Sequence, residues 1–320
     1  MATRYASRYA PIGGQAVIEG VMMRSPSMVS TAVRRPDGSI AVRTVPFVSL
    51  SRRLKLMGLP IIRGALALIE SMQLGMAALS YSAEQAAAGG DGAEQEAERA
   101  ERHAGRQGDR PLAVFWTRLA TSLTIVVSLG LGLLLFFWVP LVLTDLTGAR
   151  GGLAFNLIDG AFRLIVFLAY LAVISMWSEM HRVFQYHGAE HKSIAALEAG
   201  DELTPERVAT YSRFHPRCGT SFLLVVMMAS IFVFMFLGRP ESITDRLQRF
   251  LFIPVIGGVA FELTRLSGKW ADNAAVRLFI LPGLLLQRVT TREPTRDQLE
   301  VAIRSVREVT RESGGHLIPI

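Results

Sequence analysis

A lone thiol, Cys218, is all the cysteine that the 320 residues contain. No intramolecular disulfide can form, and a single cysteine near histidines reads either as a ligand or as an inert core group. Charge is scarce as well. Only 19% of the residues are Asp, Glu, Lys or Arg, against 50% hydrophobic, and the mean hydropathy is positive. A soluble domain of this length seldom reads so apolar, so membrane embedding is the first class to test. The opening stretch, MATRYASRYAPIGGQAVIEG, has no apolar run and no small-residue cleavage site, and no signal peptide is expected there. No G-x-G-x-x-G and no P-loop occurs, so neither nucleotide-binding glycine turn is present. The net charge of +7 implies no specific nucleic acid, because cytoplasmic loops of membrane proteins collect Lys and Arg.

What is there is a set of apolar segments. Leu119 to Thr144 and Cys218 to Gly238 hold no charged residue, and each is long enough to cross about 30 Å of hydrocarbon. Leu164 to Ser178 is shorter, with NLIDGAFR before it to extend the helix, and Phe250 to Leu266 contains Glu262 and Arg265. Four spans are expected. LFILPGLLLQ, from Leu278, is too short to cross and is expected to be interfacial or re-entrant. The fold class is therefore mainly α: a polytopic membrane protein with about four transmembrane helices and a cytoplasmic-face domain that includes a small N-terminal β-hairpin region.

RGALALIESMQLGMAALSYSAE, residues 63–84, is decided by charge. If it does not span, Lys and Arg number 10, 5, 5 and 9 in segments 1–63, 84–118, 179–217 and 265–320, against 2 and 3 in the two outer loops. If it spans, the split is 15 inside and 19 outside. The first obeys the positive-inside rule. The stretch is expected to lie on the cytoplasmic face, with both termini cytoplasmic and the chain in a bacterial inner membrane.

The resulting division is a β-rich segment 1–62, an interfacial helix 63–84, a charged flexible linker 85–111 containing His103, a membrane domain 112–290 and a tail 291–320. RPDGS between alternating stretches predicts a hairpin. In the tail, Leu299, Ile303, Val306 and Val309 make one stripe of an amphipathic helix, expected to pack on the cytoplasmic domain.

The chemistry concentrates between the second and third spans. In FQYHGAEHKS, His187 and His191 stand i and i+4, so on a helix two imidazoles share a face about 6 Å apart, with Glu190 bordering it. H-x-x-E-H is the inverted zincin arrangement, in which the histidines hold zinc and the glutamate serves as base. In FHPRCGTSF, His215 and Cys218 are spaced H-x-x-C on a turn at the start of the third span. Antiparallel neighbouring spans would bring the two pieces together. Imidazole plus thiolate suits zinc best, with iron or another divalent ion as the alternative. A closed His/His/His/Cys set would be structural, and an open position catalytic. The bland alternative is Glu190 paired with Lys192 or an arginine, with the histidines packed at the interface.

Two further acids have two readings each. Glu262 is either a further ligand or the partner of Arg265. Glu19 is expected to pair with Arg24 rather than reach the centre.

GGQAVIEGVMMRSP, RGALALIESMQLGMAALSYSAE, YHGAEHKSI, HPRCGTSFL and PGLLLQRVTTREP together resemble the YqhQ-like family of bacterial membrane proteins of unknown function, labelled a predicted metal-dependent enzyme. The resemblance covers nearly the whole chain and implies metal residues at His187, Glu190, His191, His215 and Cys218. The charged linker departs from the family in length and composition.

Two functions compete. One is a cytoplasm-facing metal-dependent hydrolase in which Glu190 would take a proton from metal-bound water and return it to the leaving group of a peptide, lipid head group or amide near the bilayer surface. The other is a non-enzymatic partner of a ribosome or protein-export assembly, its basic segments docking on protein or anionic lipid. A transporter fits less well, since the spans lack paired acids at mid-depth and show no internal repeat.

Overall fold

RPDGS does turn a hairpin. In the computed structural model, which describes residues 12–50, 59–88, 119, 123–124, 126–216, 218–269 and 273–312, it joins β3 (Met28–Arg34) to β4 (Ile40–Pro46). Gly38 takes φ +84°, the left-handed backbone that favours glycine, and the Ser39 N–H donates to Asp37 Oδ1 at 2.8 Å. The expected linker lies outside the described residues from 89 onward, and so does His103.

Ahead of this hairpin stand β1 (Gly13–Val17) and β2 (Gly20–Arg24), giving one antiparallel sheet in the order β1-β2-β3-β4. QAVIEGVMMR, within the expected β-rich segment, spans both β1 and β2. The structure folds it back on itself at Ile18–Glu19, with Val17 paired to Gly20. Glu19 sits at φ 51°, a conformation costly for a side-chain-bearing residue. Its carboxylate does not reach Arg24. It pairs with Arg182, 2.6 Å from Nε, while Arg24 lies beside Glu70 instead.

The sheet is covered on both faces, which explains the nearly unbroken apolar run of β2. On one face Val17, Met22 and Val29 meet Leu74 and Ala78 of α1 (Ile62–Ala87). On the other, Val21, Met23 and Ala32 join Tyr186 and Ala189 of α4 (Ser178–Ala199) and the stripe Leu299, Ile303, Val306 and Val309 of α10 (Arg296–Glu312). All four stripe residues are buried, as the tail's periodicity requires.

The apolar segments form α2 (Val126–Leu146), α3 (Gly152–Ile174), α6 (Gly219–Leu237) and a composite rod, α7 (Ile243–Gln248), a 3₁₀ turn and α8 (Ile253–Lys269). Short α5 (Pro205–Ala209) precedes α6, and α9 (Ala274–Thr290) carries the shorter apolar run and Pro282. Among the described residues five helices are long and apolar enough to cross a membrane, one more than the four expected; the fifth is α1. The chain is thus a mainly helical membrane protein with a small N-terminal sheet.

Where α6 ends, at Gly238, a buried ionic cluster joins three helices. Arg163 donates to Asp159 at 2.8 Å, and Arg249 Nη2 donates to Asn156 Oδ1 at 3.0 Å and to the Gly238 carbonyl at 2.8 Å. Arg163 lies 4.5 Å over Phe137, which projects from a π-helical turn at Leu134–Trp138, and Arg249 lies 4.8 Å over Phe234. Glu262 also finds an arginine. Arg63 clamps it bidentately at 2.6 Å on each arm, with Arg265 at 4.0 Å. Its first partner is therefore on α1, and it is no neighbour of the histidines.

Candidate metal centre

At the other end of α6 stands Cys218, the residue that caps its first turn. Its sulfur accepts from the Thr220 N–H at 3.4 Å and lies 3.0 Å from Thr220 Oγ1. Exposed N–H groups at a helix start favour a thiolate. The same sulfur lies 3.2 Å from His187 Nε2.

His187 and His191 project from one face of α4, their ring centroids 4.4 Å apart. Each ring is oriented through Nδ1. His187 Nδ1–H donates to the Thr290 carbonyl at 2.7 Å, and His191 Nδ1–H donates to the Arg213 carbonyl at 2.6 Å. A carbonyl only accepts, so Nδ1 carries the hydrogen on both rings and each Nε2 is left for a ligand. His187, His191 and Cys218 each bring one donor atom, and the three atoms lie within 4.8 Å of one another. Among the described residues this is the group that gathers such atoms.

A glycine makes the His187 contact available. A Cβ at Gly188 would sit 2.1 Å from the Arg292 carbonyl oxygen, so only glycine lets the segment after α9 lie against α4. That segment is held by Arg292 N–H to the Phe184 carbonyl at 2.8 Å, and it sets Thr290 above the His187 ring. A glycine inside a helix costs roughly 1 kcal/mol, so its place here marks close backbone approach.

Glu190 is buried beside the three, at 5% exposure. It does not pair with Lys192, which donates to the Ala209 carbonyl at 2.9 Å and meets Glu293 at 2.8 Å. Strand β1 covers it instead: a Cβ at Gly14 would lie 2.8 Å from Glu190 Oε1. Burial raises the Glu190 carboxyl above its ordinary range, against the opposing pull of His187 and His191. Burial alone would lower His187, but the neighbouring Cys218 sulfur and Glu190 outweigh it and push it up to about 9. Burial likewise works against the Cys218 thiolate, and His187 and His191 overcome it, holding that thiol well below its usual value. Thiolate and imidazolium stabilise each other here.

His215 stands at the edge of the group. Its ring centroid is 5.7 Å from that of His191, and its Nε2 lies 3.4 Å from Glu198 Oε2. Its backbone is locked by Gln287, which accepts from the His215 N–H and donates to the His215 carbonyl, each at 2.8 Å. Burial pushes its imidazole down. The structure therefore gathers three of the sequence-predicted residues closely, sets Glu190 and His215 beside them and leaves Glu262 elsewhere. Gln287, Glu198 and the carbonyls of Arg213 and Thr290 escaped the sequence reading. Gln287 had a visible signal, an amide ending an apolar run, but backbone carbonyls leave none.

These features define a membrane protein with a largely buried His/His/Cys group at one end of its apolar helices. The chain belongs to the family described as Protein of unknown function (DUF1385), which matches residues 59–312. It is 36% identical over 301 residues to the Uncharacterized protein YqhQ of Bacillus subtilis (strain 168), covering 93% of this chain and 92% of that protein. No solved structure matches.

Proposed function

We propose that the protein is a metal-dependent hydrolase embedded in the bacterial plasma membrane, with zinc held at the cytoplasmic face. The observation that carries this reading is the convergence of two Nδ1-locked histidines and the Cys218 sulfur beside a buried glutamate. The donors fit the ion: two neutral imidazole nitrogens and a thiolate suit zinc, and three protein ligands with a further open position is the catalytic pattern. His187, His191 and Cys218 would hold it, and when bound it would supply Lewis-acid activation of water. The remaining work belongs to the chain. The Thr290 and Arg213 carbonyls hold each ring in one tautomer. Glu190, its carboxyl raised above its ordinary range by burial, takes a proton and returns it to the leaving group. The substrate class is a peptide, amide or lipid head group at the bilayer surface.

The orientation rests on charge and on α1. From Glu70 onward α1 is engaged with the sheet: Glu70 with Arg24, Ala78 with the apolar face and Gln85 with Arg35. A sheet with open edges is not tolerated in hydrocarbon, so this half of α1 belongs outside the bilayer. This supports four crossings, with which the lysine and arginine distribution favours the metal group and both termini inside.

Metal analysis of purified protein tests the reading. About one zinc per chain is expected, retained by Glu190→Gln, while hydrolysis of labelled peptides, amides or phospholipids disappears in that variant. Folded protein free of metal overturns the proposal.

Burial favours a second reading. Glu190 and His191 are only 5% and 2% exposed beneath β1, as in a structural site. With His215 as fourth ligand, the centre would staple a cytoplasmic domain that binds protein partners. X-ray absorption at the zinc edge separates the two: three nitrogens and one sulfur for the staple, against two nitrogens, one sulfur and an oxygen for the enzyme.

A further inference from the structure

A cavity of about 450 Å³ opens between the sheet, the first turns of α1 and α8. Gly13, Arg24 and Phe47 line it from the sheet, Ala67 and Glu70 from α1, and Phe261 from α8. It lies apart from the metal group, on the far side of β1: Gly14 faces Glu190, whereas a Cβ at Gly13 would meet nothing within 4 Å. We propose that this cavity binds the phosphodiester of a membrane phospholipid.

Three observations carry it. The first is place. Phe261 belongs to an apolar rod long enough to cross a membrane, and the remaining lining comes from the sheet domain and the start of α1, so the cavity sits at their junction. There α1 and α8 touch backbone to backbone, since a Cβ at Gly64 would lie 2.9 Å from the Gly258 Cα. The second is charge. Arg24, Arg63 and Glu70 are the ionisable residues of the lining; Glu262 already balances Arg63, so Arg24 is the cation the cavity presents, beside Glu70.

The third is unused donor capacity. Arg63 spends its fork on Glu262. Glu70 is supplied by Ser49 Oγ–H at 3.0 Å and by the Leu50 N–H at 2.5 Å. Arg24 is different. Its guanidinium carbon lies 4.1 Å over the Phe47 ring, and its ion-pair contact with Glu70 is 3.6 Å, beyond good hydrogen-bonding distance. A planar fork held against an aromatic ring is pre-organised for two phosphate oxygens. The apolar lining, Phe47, Ala67 and Phe261, suits the glycerol and first acyl carbons.

The test uses the full chain in detergent and native mass spectrometry, with dioctanoyl phosphatidylglycerol as probe. Retention of one probe molecule is expected. Arg24→Gln should weaken it about tenfold, the worth of a charge-assisted pair, and Ala67→Trp should block it by filling the cavity. Both variants are first shown to melt as the parent does. Dioctanoylglycerol, which lacks the phosphate, and glycerol 3-phosphate, which lacks the chains, should each compete poorly. Equal retention by the parent and both variants overturns the proposal. So does glycerol 3-phosphate binding as tightly as the lipid, which would assign the cavity to a soluble phosphate compound.

Discussion

The two ends of α6 each carry a buried cluster of ionisable groups, and they are built on opposite principles. At the Gly238 end, Asp159 faces two guanidinium groups that lie over Phe137 and Phe234, with Asn156 and the Gly238 carbonyl accepting from Arg249. Each charged group faces an opposite one, although Arg249 Nη1 reaches Asp159 only at 3.9 Å and makes no hydrogen bond. At the Cys218 end hydrogen bonds run outward, from Nδ1 of His187 and His191 to carbonyls, and the gathered donor atoms are two imidazole nitrogens and the Cys218 sulfur, with the buried Glu190 carboxyl beside them. Both clusters are costly to bury. Burial and charge therefore do not mark a candidate ligand site by themselves; side-chain donor atoms that converge on one another do.

The sharpest way to break that contrast is to remove Asp159. Arg163 and Arg249 then stay buried with no carboxylate, a loss of about 3–5 kcal/mol for breaking a buried pair. Asp159→Ala is expected to lower the melting temperature strongly while leaving the zinc content of the surviving folded protein unchanged. Loss of zinc in that variant would mean the two ends are coupled. The reciprocal change, His187→Ala, should abolish zinc retention with a much smaller change in melting of the ion-free protein, since it removes an imidazolium whose thiolate partner keeps the α6 N-terminus. A metal-analysis result near the parent's would sink the ligand assignment of His187.

The Cys218 end was the more legible of the two in the sequence, and the reason is local geometry. H-x-x-E-H places its side chains by helix periodicity alone, and H-x-x-C lies on a turn that proline and glycine announce. The tail helix was legible for the same reason, from Leu299, Ile303, Val306 and Val309. What stayed hidden depends on distant partners. Arg63 is 199 residues from Glu262, and Arg182 is 163 from Glu19, so nearer arginines were the natural guess. The β1–β2 turn was hidden too, because Ile18–Glu19 carries none of the glycine or asparagine that usually marks a two-residue hairpin loop. α1 showed its length and low charge, but its engagement with the sheet arises only on folding.

Gly188 offers a finer probe of how the Cys218 end is held. A methyl there meets the Arg292 carbonyl oxygen, so Gly188→Ala must push the Thr291–Pro294 segment off α4. Overpacking of this kind costs roughly 1–3 kcal/mol. The Thr290 carbonyl moves with that segment and releases His187 Nδ1–H, and loss of such an orienting contact lowers metal affinity about 10–100-fold. Zinc competition against a chelator reads the second effect. Unchanged affinity would show that ring orientation at His187 does not depend on Thr290.

The smallest expected effect separates the clusters by pH. In the ion-free protein the His187 proton is held up to about 9 by the Cys218 thiolate and Glu190, against burial. Zinc must displace that proton, whereas Cys218, already ionised well below its usual range, gives none up. Apparent zinc affinity should therefore climb about tenfold per pH unit and level off near pH 9, with one proton released at neutral pH. For folding the sign is opposite. A pKa raised in the folded state stabilises fully below the ordinary imidazole value of about 6.5, and that contribution is lost as pH rises through about 9. The Cys218 thiol, held below its usual value in the folded state, contributes the opposite slope up to its ordinary range of about 8.5. Ion-free protein should thus keep its stability between about pH 6.5 and 8.5 and lose it above, as the His187 proton leaves near 9. Zinc-loaded protein, whose site would hold neither proton, should gain stability as pH rises toward that range. Melting curves of both forms across that window check it. Parallel curves would show that His187 and Cys218 do not share a proton in the way their 3.2 Å contact implies.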